Sequence, residues 1–347
     1  MSLGIVEGAA EAANSVLKII SGRMADRARS KRPLVLAGYV LSSAARPFIA
    51  IARSWTHVFT VRVFDRIGKG VRSAPRDAML AAWATPATRG KVYGFHQAMD
   101  NVGAIIGPAL ATLFLVCYPG QYRALFALTI VPGAIAVLLV FLVPEEEVRL
   151  KPDATGAVVA SGFSRTGHEA LPPKLKSFML VLALFMLGNS TDAFLLLRLT
   201  DAAGSATYVP LMWAGIHVVK SSVSLVGGSW SDAVGRRVVI GAGWLVYAAV
   251  YAGFAMSSSL TALLGWFLVY GFYFGFAEGT EKALVADLAP ASRRGTAFGV
   301  YNAVQGLGAL SASVMFGIIW KFFGAAAAFG VGSGLALAAT ALLFITI

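Results

Sequence analysis

A single cysteine, Cys117, stands in a chain of 347 residues, so no intrachain disulfide can form, and this thiol reads as a small packing residue near a helix end. Histidine is nearly as scarce. His57, His96, His168 and His217 lack the spacing of a zinc site, and no metal is expected. Charge is thin too: Asp, Glu, Lys and Arg make up 13% of the residues, against roughly 25% in soluble domains. There is no nucleotide-binding loop, metal-ligand cluster or serine-hydrolase elbow, and Gly68-Lys69-Gly70 lacks the spacing of a phosphate-binding Gly-Lys-Ser/Thr loop. No cleavable signal peptide is recognisable. These absences argue against an enzyme and against a bound cofactor.

What is abundant is apolar surface. Hydrophobic residues make up 57% of the chain and the mean hydropathy is +0.72, which argues against a water-soluble fold. Stretches such as 178–197, 238–256 and 324–347 match the ~20 residues that carry a helix across a bilayer core. Apolar runs between turn and charge signals predict eleven spans, at 4–24, 33–52, 57–82, 92–117, 122–143, 175–197, 207–227, 238–256, 260–288, 295–319 and 323–347. The expected class is an all-α integral membrane protein whose partner is the lipid bilayer.

The net charge of +12 matters through its placement. Arg27, Arg29, Lys31 and Arg32 share one loop; Arg89 with Lys91, Arg236 with Arg237, and Arg293 with Arg294 occupy every second loop after it. Loops 118–121 and 257–259 carry no Lys or Arg. A basic stripe for nucleic acid would not alternate in this way, so no nucleic-acid partner is expected. The positive-inside rule places the basic loops in the cytoplasm, giving a multi-pass protein of the bacterial inner membrane.

The two halves repeat. Gly22-Arg-Met-Ala-Asp26 with Lys31-Arg32 recurs as Gly228-Ser-Trp-Ser-Asp232 with Arg236-Arg237, an offset of 206 from Asp26 to Asp232. Arg89-Gly90 with Gly94, Ala98 and Gly103 recurs as Arg294-Gly295 with Gly299, Ala303 and Gly308, an offset of 205. Both copies put their basic loops on one side, so the repeat is parallel about an axis along the membrane normal. Between the halves, Glu145-Glu146-Glu147, several Gly and Ser, and Pro172-Pro173 read as a polar linker. The expected domains are an amino-terminal bundle at 1–143, a cytoplasmic linker at 144–176 and a carboxy-terminal bundle at 177–347. Asp232 follows two spans in its half and Asp26 follows one, so a first helix is expected to be missing ahead of Gly4.

Gly22-x-x-x-Asp26-Arg27 with Lys31-Arg32 resembles the loop 2–3 signature of the major facilitator superfamily, and Gly228-x-x-x-Asp232 with Gly235-Arg236-Arg237 resembles its second copy. Gly94, Gly103, Gly107 and Pro108 resemble the fifth-helix signature of the drug/proton antiporter branch, although Ala111 and Thr112 stand where that signature has paired glycines. The resemblance covers essentially the whole chain. It implies two pseudo-symmetric six-helix bundles, with about eleven of twelve helices present, and transport by alternating access. It further implies that Asp26 and Asp232 hold basic partners as gating residues. Read from spacing alone, Gly103 and Gly107 are one helical turn apart, as in close small-xxx-small helix packing.

Charge inside the spans locates the site, because each central charge costs roughly 2.5–3.5 kcal/mol on insertion scales. Glu7, Glu11, Asn14 and Lys18 share one helix face, as do Asp65, Lys69, Arg72 and Arg76, flanked by Arg62 and Arg66. A hydrated, mainly cationic cavity for a small anionic or zwitterionic solute follows. Candidate proton carriers are Glu11, then Asp65, with Glu7 and Asp100; environment decides which acid titrates. Asn14, Lys18, Arg62, Arg66, Lys69 and Arg72 are the candidate solute ligands of the first half. Asn189, Asp192, His217, Lys220, Tyr270, Tyr273 and Glu278 are those of the second. At an offset of 205, Arg76 corresponds to Glu281 and Asp77 to Lys282; either Arg76–Glu281 and Asp77–Lys282 form a cytoplasmic latch, or these residues pair separately within their own halves.

The expected function is secondary, proton-coupled efflux by a monomer. Uptake of an organic anion by symport, and a non-transporting receptor or inactive paralogue, are the alternatives. If Glu11 carries the proton, Glu11→Gln abolishes pH-driven transport and leaves solute exchange intact, which transport and counterflow assays in vesicles measure side by side.

Overall fold

The computed structural model describes residues 2–143, 170–205 and 209–347, with the backbone alone over 2–13. The side chains of Glu7 and Glu11, and segment 144–169 of the expected linker, lie outside the described residues. All regular structure among the described residues is helical: α1 (Ser2–Arg27), α2 (Arg32–Ala45), α3 (Trp55–Trp83), α4 (Arg89–Cys117), α5 (Tyr122–Leu128), α6 (Ile130–Leu142), α7 (Pro173–Gly188), α8 (Ala193–Ala203), α9 (Val209–Val234), α10 (Arg236–Met256), α11 (Leu260–Leu288) and α12 (Arg294–Thr346).

Local chemistry marks the ends. The Ser54 and Ser259 hydroxyls accept from the backbone N–H of His57 and Ala262, capping α3 and α11. Pro33 and Pro173 sit in the first turns of α2 and α7, where no backbone donor is needed. Gly324 has φ 86° and ψ 169°, a conformation open essentially to glycine alone. It divides α12 into two legs without an intervening loop.

Eight helical segments are long and apolar enough to cross a membrane: 32–51, 89–117, 122–142, 173–203, 209–234, 236–256, 260–288 and the whole of 291–346. Adding α1 and α3, whose charges keep them below that hydropathy, and separating the legs of α12 gives eleven crossings among the described residues. Three expected spans differ in detail. Span 33–52 ends in a 3-10 turn, Arg46–Ile51; span 122–143 is broken at Thr129 between α5 and α6; span 175–197 is broken between Gly188 and Ala193.

Within each half the outer helices pack on inner ones: α2 between α3 and α6, and α10 against α11 and α12. The second half has an aromatic interior in which Phe185 stacks on Trp244 at 4.4 Å and Tyr247 on Tyr251 at 4.2 Å. Lipid is as apolar as leucine, so such close packing, rather than escape from solvent, holds these helices together.

The halves meet along two seams, α1 against the first leg of α12 and α4 against α9. Each is lined by glycine. A Cβ on Gly228 would lie 2.9 Å from Gly94 Cα and closer still to the Gly90 carbonyl oxygen, and Gly22 approaches Gly295 and Gly299 in the same way. Gly228→Val therefore wedges α4 from α9. The expected loss is about 1–3 kcal/mol, read as a lower unfolding temperature in detergent together with faster proteolysis at loop 84–88.

Candidate functional site

The broken helix between α7 and α8 lies deep in the second half, and its freed polar groups are met by tyrosines. Tyr247 donates to the Gly188 carbonyl at 2.7 Å, Tyr251 pairs with Ser190 at 2.9 Å, and Asn189 donates to the Tyr273 hydroxyl at 2.9 Å. Tyr270 donates to Asp192 Oδ1 at 2.9 Å. Irregular backbone at membrane depth survives only when protein groups replace its lost hydrogen bonds, and discontinuous helices of this kind mark binding sites in transporters.

Against the break sits an ion pair between a buried lysine and a part-buried aspartate. Lys220 Nζ is 3.2 Å from Asp192 Oδ2 and 3.4 Å from the centre of the Phe274 ring, with Trp213 and Tyr270 at 5.9 and 5.8 Å. Lys220 is 4% exposed. It is the twelfth of the 26 residues of α9, close to mid-membrane. His217 Nδ1 lies 2.8 Å from Asn101 Oδ1, and Ser221 donates to the Ala98 carbonyl, so α4 closes the site from the first half. Glu278 stands within electrostatic reach of Lys220 and Lys282. No described residue gives its carboxylate a direct hydrogen bond or ion pair.

A second cluster lies toward the basic end. Asp77, fully buried, has Lys282 Nζ at 3.8 Å and Arg76 at 3.4 Å, and Asn302 donates to it at 3.4 Å. Tyr93 donates to the Asp77 backbone carbonyl. One carboxylate thus ties α3 to α11 and α12. Of the two expected pairings across the halves, Asp77–Lys282 is present and Arg76–Glu281 is not: Arg76 lies beside Asp77 in its own half. The Glu281 carboxylate accepts from Trp244 at 2.9 Å, Tyr301 at 3.0 Å and Gln305 at 3.4 Å, all in its own half.

At the basic end the halves exchange helix caps. Asp26 accepts from the backbone N–H of Gly295 and Thr296, both at 2.7 Å, and from the Thr296 hydroxyl. Asp232 accepts from the N–H of Gly90 at 2.9 Å and Lys91 at 2.8 Å. Each carboxylate satisfies the open first turn of a helix in the opposite half, where the macrodipole favours negative charge. The expected basic partner is present for Asp232, which pairs with Arg236; Asp26 holds a helix terminus instead. Arg89 and Arg294 cross the other way, to the carbonyls of Ala286 and Ala81 at the ends of α11 and α3. Asp287 adds a network on one side only, 2.6 Å from Arg89 and 3.1 Å from Arg236.

Asn189, Asp192, His217, Lys220, Tyr270 and Tyr273 are therefore brought together. Others lie elsewhere. Asp65 pairs with Arg46 at 2.9 Å and Arg72 stacks on Tyr39 at 4.2 Å, so both face α2, because the charged face of α3 is wider than one groove. Asp100 is exposed beside His96, which is 3.8 Å away. Arg62 and Lys69 are exposed, Arg66 is half-buried, and Asn14 and Lys18 are buried on α1. Gly94 packs against Gly228 and Gly279, but Gly103 and Gly107 face open space among the described residues. The expected packing at those two is absent among the described residues; the hydrogen bonds between α4 and α9 reach as far as Asn101, roughly 18 Å along the helix from Arg89. Trp213, Phe274, Asn101 and the Glu281 donors were missed, since lone aromatics and amides in apolar helices carry no pattern. Arg89 and Arg294 did carry one, as matched positions of the repeat.

The sequence model of the Major Facilitator Superfamily matches residues 1–218 and 178–347. The chain belongs to that superfamily. An uncharacterized MFS-type transporter of Methanocaldococcus jannaschii, MJ1317, is 31% identical over 327 residues, covering 92% of this chain and 80% of the relative. The multidrug resistance protein MdtH of Edwardsiella ictaluri is 25% identical over 86% of this chain and 72% of its own length. Among solved structures, the human organic anion transporter MFSD10 has a TM-score of 0.83 at 19% identity, covering 98% of this chain and 83% of that one. The proton:xylose symporter XylE has a TM-score of 0.79 at 15% identity, with 99% and 85% covered. This facilitator-superfamily chain is thus a multi-pass transporter with the two-bundle fold.

If Asp77 bridges the halves, Asp77→Asn and Lys282→Gln couple by about 1–3 kcal/mol in a double-mutant cycle on thermal stability, whereas Arg76 and Glu281 couple by less than about 0.5 kcal/mol.

Proposed function

We propose that the chain is a proton-coupled secondary transporter that exports a small zwitterionic or anionic solute across a bacterial cytoplasmic membrane. It works as a monomer with its basic loops inside. The observation that carries this reading is the Asp192–Lys220 pair at the broken helix, its lysine buried and its aspartate part-buried. Burying two charges is offset only by close pairing and further hydrogen bonds, and such a pair opens readily to a solute that offers the same two charges. An anionic group competes with Asp192 for Lys220, and a cationic group competes with Lys220 for Asp192.

Glu278 supplies a second carboxylate beside the pair, without a direct partner among the described residues, and replaces Asp65 and Asp100 as the favoured coupling residue. The seams and the Asp77–Lys282 bridge close the basic end, which the positive-inside rule makes cytoplasmic, so this form is shut toward the cytoplasm. Export accords with the multidrug resistance name of MdtH. In proteoliposomes with a trapped pH-sensitive dye, a panel of organic anions and amino-acid-like zwitterions elicits proton movement opposite to solute movement. Glu278→Gln keeps solute counterflow and loses accumulation driven by a pH gradient. Undiminished uphill transport by that variant removes Glu278 from the coupling role, and proton movement in the same direction as solute replaces export with symport.

A further inference from the structure

Lys220 does more than balance Asp192. An ammonium group surrounded by aromatic faces, with one carboxylate as counter-ion, has the surroundings that bind organic ammonium ions, since ring faces attract cations most strongly where water is excluded. Here Phe274 at 3.4 Å, Tyr270 at 5.8 Å and Trp213 at 5.9 Å form the walls, and Asp192 at 3.2 Å is the counter-ion. The counter-ion is itself fixed, by the Tyr270 hydroxyl on its other oxygen. One wall is positioned as well: Trp213 has His217 against it at 5.0 Å, and His217 is held by Asn101 across the seam.

We infer that this box is an ammonium-recognition site for the transported solute, and that Lys220 fills it as a tethered stand-in when no solute is bound. The inference rests on the transport reading above and narrows the solute to one carrying an organic ammonium group. For a zwitterion both charges find partners in one exchange. Its ammonium enters the box and faces Asp192, and the displaced Lys220 Nζ takes its anionic group. No charge is left without a partner in the membrane interior at either stage, which a solute of one sign alone would not achieve without a compensating proton.

The test removes the stand-in and offers a plain probe. Full-length Lys220→Ala in detergent is titrated with tetramethylammonium chloride by calorimetry and thermal shift, against equal sodium chloride. The variant binds the probe at least about tenfold more tightly than the unsubstituted chain, the size expected for cation–aromatic contacts away from water. The gain disappears when Asp192→Asn is added, and it disappears in Lys220→Met, whose side chain refills the box. No gain in Lys220→Ala, or a gain that survives Asp192→Asn, overturns the inference. Should Lys220→Ala fail to survive extraction, it is prepared with tetramethylammonium or sodium throughout. Recovery that requires tetramethylammonium supports the box, and equal recovery or equal loss in the two salts overturns it. Because the titration needs no transport, its outcome is independent of the proteoliposome assay of Glu278.

Discussion

The assembly depends on a carboxylate from one half of the molecule closing the first turn of a helix in the other. Helix termini leave backbone N–H groups without partners, and near the membrane such groups are costly to leave bare. Asp26 and Asp232 meet this need reciprocally, two backbone donors each. The close approach is possible because both seams are built on glycine. The caps also set the depth at which the halves touch, and from there the seam between α4 and α9 extends inward to Asn101 and His217. The proposed binding site begins where that contact ends.

The broken helix is held in a different way, by hydrogen bonds to one backbone carbonyl and three polar side chains. Four tyrosines from α10 and α11 each meet one of four positions at the break, the Gly188 carbonyl and the side chains of Asn189, Ser190 and Asp192. The break thereby becomes a rigid platform. It presents Asp192 to Lys220 across only four residues between α7 and α8.

Much of this was legible in the sequence. Eleven apolar runs, alternating basic loops and two repeated blocks define the fold, because bilayer thickness and the repeat constrain helices strongly. The second-half residues of the site were also legible, since Asp192, Lys220 and His217 are conspicuous in apolar helices. What could not be read was direction around the helix axis. Asp65 and Arg72 carry the same charge signal as Asp192 and Lys220, yet face α2. Arg76 and Glu281 occupy equivalent positions, yet Glu281 turns inward because Trp244, Tyr301 and Gln305 offer three neutral donors there. Symmetry of position does not fix rotamers. The break at 189–192 was hidden as well, because its stabilising tyrosines come from other helices and leave no mark on the local pattern.

The repeat is unequal at one place with mechanical consequences. Asp287 and Arg236 form an ionic network with Arg89 on the side of α9, whereas on the side of α1 the position of Asp287 is taken by Ala82, which carries no charge. Among the described residues, charge reinforces one seam and the other relies on its cap and on packing. Parting the seam at α9 therefore means separating Arg89 from Asp287 as well as drawing a helix cap away from Asp232.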